Sequence, residues 1–270
     1  MENRRLLSTL ADDYARLRDV AARDLAAPVP SCPGWTVADL VRHVSEVYLH
    51  KTEAMRLVEW PDPWPPDLSA EEPLALLDRA YGALTAQFAA RAPSDKAVTW
   101  FGPDQSVGFW IRRMAQESVI HRVDAELALR EPIAPIPADL AVDGIDELLH
   151  IFLAYGAETW AEYFAPALNE SPGRTVEVRV QGAGWLVTTS PDGVVVVDAG
   201  RPGPDDADAV VGTAGASAVV GKADASAVVT GPPDAVLRWL WARGGDEAVT
   251  VHGDGLAVAE LRRLLVIATQ

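Results

Sequence analysis

The chain has 270 residues, with 23 Lys and Arg against 39 Asp and Glu and a formal net charge of −16. Its average surface therefore repels phosphate backbones and anionic lipid, which argues against nucleic-acid and membrane partners. A single Cys rules out an intrachain disulfide, the charged amino terminus is unlike a secretory signal, and no run approaches the roughly 20 apolar residues of a membrane span, so a cytoplasmic protein is expected.

Apolar residues make up 49% and nine Trp are present, the profile of a packed globular protein long enough for two domains. Leu, Ala and Val recur at three- and four-residue spacing through the first 170 residues and predict helices over about 4–25, 36–58, 71–92, 106–130 and 138–166. Proline clusters in "APVPSCPGW", "WPDPWPPDLS" and "REPIAPIPADL" separate them, because proline cannot continue a helix. An antiparallel helical bundle follows.

From Arg174 the period changes. "RTVEVRVQGAGWLVTTSPDGVVVVDAG" alternates or runs in β-branched residues between glycine-containing turns, which predicts a β-meander. An Ala-Val-Val unit then repeats through 205–231, read as successive strand pieces or an internally duplicated insertion. "GPPDAVLRWLWARGG" predicts a helix opened by Pro232 and Pro233 and stopped by Gly244 and Gly245, followed by a strand and a last helix over about 255–267. The expected organisation is α+β in two domains, 1–170 and 171–270, with "NESPGR" marking the change.

Two segments carry chemistry. "TVAD" at Thr36 to Asp39 has the spacing of a capping box and starts the second predicted helix, so His43 lies two turns in with Leu40, Val44 and Val47 beside it. In "MAQESVIHRVDAELAL", Glu117 and His121 are four residues apart and point the same way. Two imidazoles and a carboxylate from two facing helices can supply three legs of a tetrahedral metal site and leave the fourth open, as in a catalytic site. Spacing by itself does not separate this from a hydrogen-bonded core histidine and a surface Glu–His contact.

The remaining candidates are weaker. His50 lies seven residues after His43 and is an alternative ligand; Asp124 and Glu126 face elsewhere and offer at most support to a liganding histidine. His150 and His252 are read as lacking a partner at ligand spacing, and Cys32 as packing in a turn. No nucleophile elbow, P-loop or Cys-x-x-Cys motif is present.

"SCPGWTVADLVRHVSEVYLH" resembles the opening motif of the mycothiol-dependent maleylpyruvate isomerase family, and "ESVIHRVDAELAL" its second metal-binding segment. "VVTGPPDAVLRWLWARGG" and "VTVHGDGLAVAELRRLL" are similar to the carboxyl-terminal domain that accompanies it. The resemblance implies a DinB-like antiparallel four-helix bundle followed by a sterol-carrier-like α+β domain. It places the metal ligands at His43, Glu117 and His121, and implies zinc as the metal and mycothiol as thiol cosubstrate. It also implies a catalytic arginine, matched best by Arg243 with Arg238 as the alternative. The expected activity is S-transfer to, or isomerisation of, a small electrophile. The alternative is a non-catalytic metal- or small-molecule-binding protein, or a regulatory stress protein.

Overall fold

The computed structural model describes residues 1–200 and 225–269. They fall into two compact units, Met1–Ile136 and Pro137–Gln270. The architecture is α+β: a helical amino-terminal unit and a sheet-containing carboxyl-terminal unit.

The first unit is built on α1 (Asn3–Ala21), α2 (Val37–Leu57), α3 (Pro73–Ala90) and α4 (Val107–Ala128). Side-chain oxygens fix three of the four starts by accepting orphan backbone N–H groups. Thr36 forms the expected capping box with Asp39, Glu72 accepts from Ala75 ahead of Pro73, and Ser106 accepts from Phe109. Leu17, Leu40, Val44, Tyr48, Leu84 and Trp110 are fully buried at the centre.

The helix directions refine the expected antiparallel bundle. Asp13 meets Arg122 and Arg16 meets Glu126, so α1 and α4 run parallel. Arg42 reaches the carbonyls of Leu68 and Glu71, Tyr48 faces Tyr81, and Arg91 donates to the Met55 carbonyl, so α2 and α3 are parallel as well. Across the α2/α4 seam the helices are antiparallel, with His43 opposite Glu117 and Lys51 opposite Trp110. The topology is up, down, down, up. The proline-rich 58–72 segment carries the chain back along the bundle before α3 begins.

The second unit opens with α5 (Ala138–Asp146), continues through a π-helical stretch (Glu147–Tyr155) into α6 (Gly156–Thr159), and then forms α7 (Ala161–Leu168). Strands β1 (Arg174–Val180), β2 (Ala183–Ser190) and β3 (Gly193–Asp198) form the expected antiparallel meander. β4 (Ala227–Thr230) pairs parallel with β1, and β5 (Thr250–Gly253) pairs antiparallel with β4, giving the order β3-β2-β1-β4-β5. Val176, Val178, Val180, Trp185 and Val187 alternate into the core, as a sheet with one covered face requires. Helices α8 (Pro233–Leu240) and α9 (Gly255–Ala268) lie where the sequence predicts them. Glu260 of α9 ties the helix to the sheet by accepting from Arg174 and Thr189.

The switch from helical to strand periodicity falls between Leu168 and Arg174, where "NESPGR" marks it. Compactness divides the chain earlier, at 136/137, so the helix expected over 138–166 groups with the sheet. Most of the Ala-Val-Val repeat lies outside the described residues; its last piece is β4. No helix among the described residues is long and apolar enough to cross a membrane.

Candidate metal centre

Helix α4 runs through the middle of its unit and is buried on nearly every side, so its ionisable residues must be paired or bind something. Arg122 meets that requirement by donating to Asp13, Glu126 and the Ala134 carbonyl. Glu117 and His121 meet it at the seam with α2.

The Nε2 atom of His121 lies 3.1 Å from Glu117 Oε1, and Nε2 of His43 lies 3.4 Å from the same oxygen. One donor atom from each of the three residues falls within 4.8 Å of the others. Ligand atoms about 2.1 Å from a zinc in tetrahedral geometry sit about 3.4 Å apart, so the two contacts to Glu117 Oε1 have the spacing of ligands that share one ion. The two imidazoles stand nearly edge to face, at 77° and 5.1 Å between ring centres. Glu117 and His121 are sheltered, at 13% and 11% side-chain exposure, whereas His43 at 37% opens the site to solvent on one side.

Supporting contacts orient two of the three groups. His121 presents Nδ1 to Asp124 Oδ2 at 2.9 Å, which holds the other ring nitrogen toward the cluster. Asp124 is fully buried and also accepts from Ser31, while Cys32 Sγ sits 3.9 Å away. Arg113, one turn before Glu117, donates to Oε2 and leaves Oε1 to face the histidines. Burial alone would raise the Glu117 pKa, but the charges of His121 and Arg113 outweigh it and hold the carboxyl well below its usual range. Burial would likewise lower His121, yet Glu117 and Asp124 carry it up to about 9.

The residues singled out in the sequence fall as follows. His43, Glu117 and His121 converge, and Asp124 supports His121. Glu126 belongs to the Arg122 network. His50 turns away from the cluster: its Nδ1 faces Lys51 Nζ at 2.8 Å and its ring stacks on Trp60. Cys32 sits half-buried in its turn beside Asp124. Arg243 donates to the Trp241 carbonyl, and Arg238 reaches Asp234 at 3.6 Å. His252 is exposed on β5.

His150 requires a correction, because it does have acidic partners. Its Nε2 is 3.7 Å from Asp146, four residues earlier, and 3.1 Å from Asp198 on β3. The i, i+4 spacing was visible in the sequence; the contribution of Asp198 depends on strand placement. With Asp198 73% exposed, this group is a polar contact between the π-helical stretch and the edge strand. Arg113 was missed, although it stands at the same four-residue spacing from Glu117.

The chain thus combines a helical unit that presents a histidine–carboxylate–histidine set able to hold a metal ion across one seam with a sheet-containing unit. Residues 7–126 match the family model described as the mycothiol maleylpyruvate isomerase N-terminal domain. The match spans 120 of the 270 residues and lies within the helical unit.

Two solved structures of the mycothiol-dependent maleylpyruvate isomerase are similar in fold. Each covers 93% of this chain and 93% of its own at 14% identity, with TM-scores of 0.57 for a histidine-to-alanine mutant and 0.55 for the second structure. At that identity the likeness concerns the fold alone. A UbiJ-SCP2 ubiquinone synthesis protein overlaps 50% of this chain and 95% of its own at 18% identity, with a TM-score of 0.28 that assigns no fold. No curated protein sequence matches the chain.

Proposed function

We propose that this protein is a metal-dependent enzyme of the cytoplasm that activates a low-molecular-weight thiol, mycothiol, for S-transfer to or isomerisation of a small electrophile. The observation that carries the proposal is the convergence of His43 Nε2, Glu117 Oε1 and His121 Nε2 within 4.8 Å at the partly open end of a buried seam. The donor set fits zinc: two neutral imidazole nitrogens and one carboxylate oxygen, with Asp124 fixing the ring of one histidine. Zinc held there supplies the positive charge that keeps a thiol deprotonated at neutral pH.

The chain's own residues do the rest. Arg113 holds Glu117 in a one-oxygen orientation, and Asp124 accepts the Nδ1 proton of His121 so that Nε2 keeps its lone pair. The solvent-facing side at His43 admits the thiol. Attack of the thiolate sulfur on an electrophilic carbon gives an S-conjugate if the carbon–sulfur bond persists. It gives a cis–trans isomer if the thiol departs after rotation. Arg243, by resemblance, anchors a substrate carboxylate through paired hydrogen bonds.

Elemental analysis of the purified full chain tests the metal part, with about one ion per chain expected. Glu117→Ala and His121→Ala are expected to lose the metal while circular dichroism remains helical; full metal content in both variants contradicts the assignment. A screen of bacterial thiols against electrophiles, with metal-depleted protein as control, tests the chemistry. Consumption that needs both thiol and metal is the expected result.

A further inference from the structure

Among the described residues a second group brings imidazole and carboxylate atoms together, and it lies wholly within the second unit. Asp146 and His150 are four residues apart where α5 passes into the π-helical stretch, so their side chains leave the helix on the same side. Asp198 comes from the end of β3. The register of β2 and β3 sets Asp198 opposite Trp185, which puts both side chains on one face of the sheet. The Trp185 ring is buried there, and its Nε1–H donates to Asp146 Oδ1 at 3.3 Å. One indole thus holds the helix carboxylate beside the strand that carries the other.

The two carboxylates converge on a single ring nitrogen. His150 Nε2 is 3.1 Å from Asp198 Oδ1 and 3.7 Å from Asp146 Oδ1, and one donor atom from each residue lies within 4.8 Å of the others. A ring nitrogen carrying one proton points it at one oxygen, so the second carboxylate is held against the first with no proton between them. Like charges that close repel, and a cation among the three atoms turns the repulsion into attraction. Atoms that share an ion at about 2.1 Å stand about 3.0 to 3.4 Å apart for octahedral to tetrahedral angles. The shorter contact matches that spacing and the longer exceeds it by a few tenths of an ångström. The donor set inverts that of the trio, with one nitrogen and two oxygens, and its imidazole favours first-row divalent ions over magnesium.

We infer that Asp146, His150 and Asp198 form a second metal site, which takes a first-row divalent ion such as zinc and fastens edge strand β3 to the π-helical stretch. Open to solvent at Asp198, it exchanges its ion with the medium and fills when metal is added, whereas the sheltered trio keeps its own through purification. The site needs no thiol and no turnover.

Zinc titration of the full chain, followed by calorimetry, tests the inference, with His121→Ala removing the trio from the count. One zinc is expected to bind that variant, and amide hydrogen exchange along Gly193–Asp198 is expected to slow about tenfold when it does. His150→Gln and Asp198→Asn, introduced separately in the same background, are each expected to weaken zinc binding about tenfold or more. Their metal-free melting curves are expected to stay close to that of the parent, since both side chains are partly exposed. Magnesium is expected not to compete. Unchanged zinc affinity in both variants overturns the inference, because the ion then sits elsewhere on the acidic surface. So does zinc binding that leaves exchange in β3 unaltered. A wild-type chain whose zinc binding depends on His150 and not on His121 contradicts the trio assignment and leaves the second site standing.

Discussion

His121 Nδ1 and Asp124 Oδ2 lie 2.9 Å apart on the same helix, and the carboxylate is fully buried. The geometry fixes the ring so that Nε2 faces Glu117 Oε1 and His43. Asp124→Asn keeps the shape and removes the charge, so it is expected to weaken metal binding by about 10- to 100-fold without unfolding the bundle. Competition with a chelator of known affinity measures the loss; unchanged affinity would show that Asp124 does no more than fill space.

The pair Glu117 and His121 makes the metal-free protein sensitive to pH in two directions. The folded His121 pKa of about 9 lies above the ordinary histidine value of 6.5. Its contribution to stability is therefore complete below pH 6.5 and disappears as pH rises through about 9. Glu117 is depressed below the ordinary glutamate value of 4.5, so its contribution is present above pH 4.5 and disappears as pH falls below it. Thermal melts of the metal-free chain are expected to show this interaction at full strength between those two values.

Metal binding must displace the His121 proton. Apparent metal affinity is therefore expected to rise about tenfold per pH unit between pH 7 and 9. Chelator competition at three pH values checks the slope, and a flat profile would mean that His121 is not a ligand.

Arg122 is 1% exposed and is paired with Asp13 and Glu126. Burial pushes Asp13 up to about 6 despite this partner, so the network carries little reserve. Arg122→Met strands the enclosed Asp13 carboxylate and leaves Glu126 with Arg16 as its charged partner, and is expected to cost about 3–5 kcal/mol, read by denaturant unfolding. The fraction that remains folded is expected to keep its metal, because Arg122 belongs to a different network from the trio.

Arg243→Ala separates anchoring from metal binding. Metal content is expected to stay at one per chain while kcat/KM falls about a hundredfold, the scale of a misplaced substrate. Arg238→Ala, which removes a guanidinium facing Asp234, is expected to change turnover less.

Much of this architecture was legible because it rests on local rules. The Thr36–Asp39 box and the four-residue spacing of Glu117 and His121 are written in adjacent residues, and both point to the same seam. Helix direction was not legible: the three connections at 22–36, 58–72 and 91–106 are nearly equal in length, so length does not say which one returns along the bundle. Asp198 joined His150 only through the register of β3.

Cobalt(II) substitution tests the central claim most directly, because one spectrum reports both coordination and thiol access. One equivalent is expected to give visible bands of tetrahedral intensity, and added mycothiol a near-ultraviolet thiolate-to-cobalt band, both absent in His121→Ala. Wild-type protein that binds no cobalt, or binds it without responding to thiol, would contradict the account.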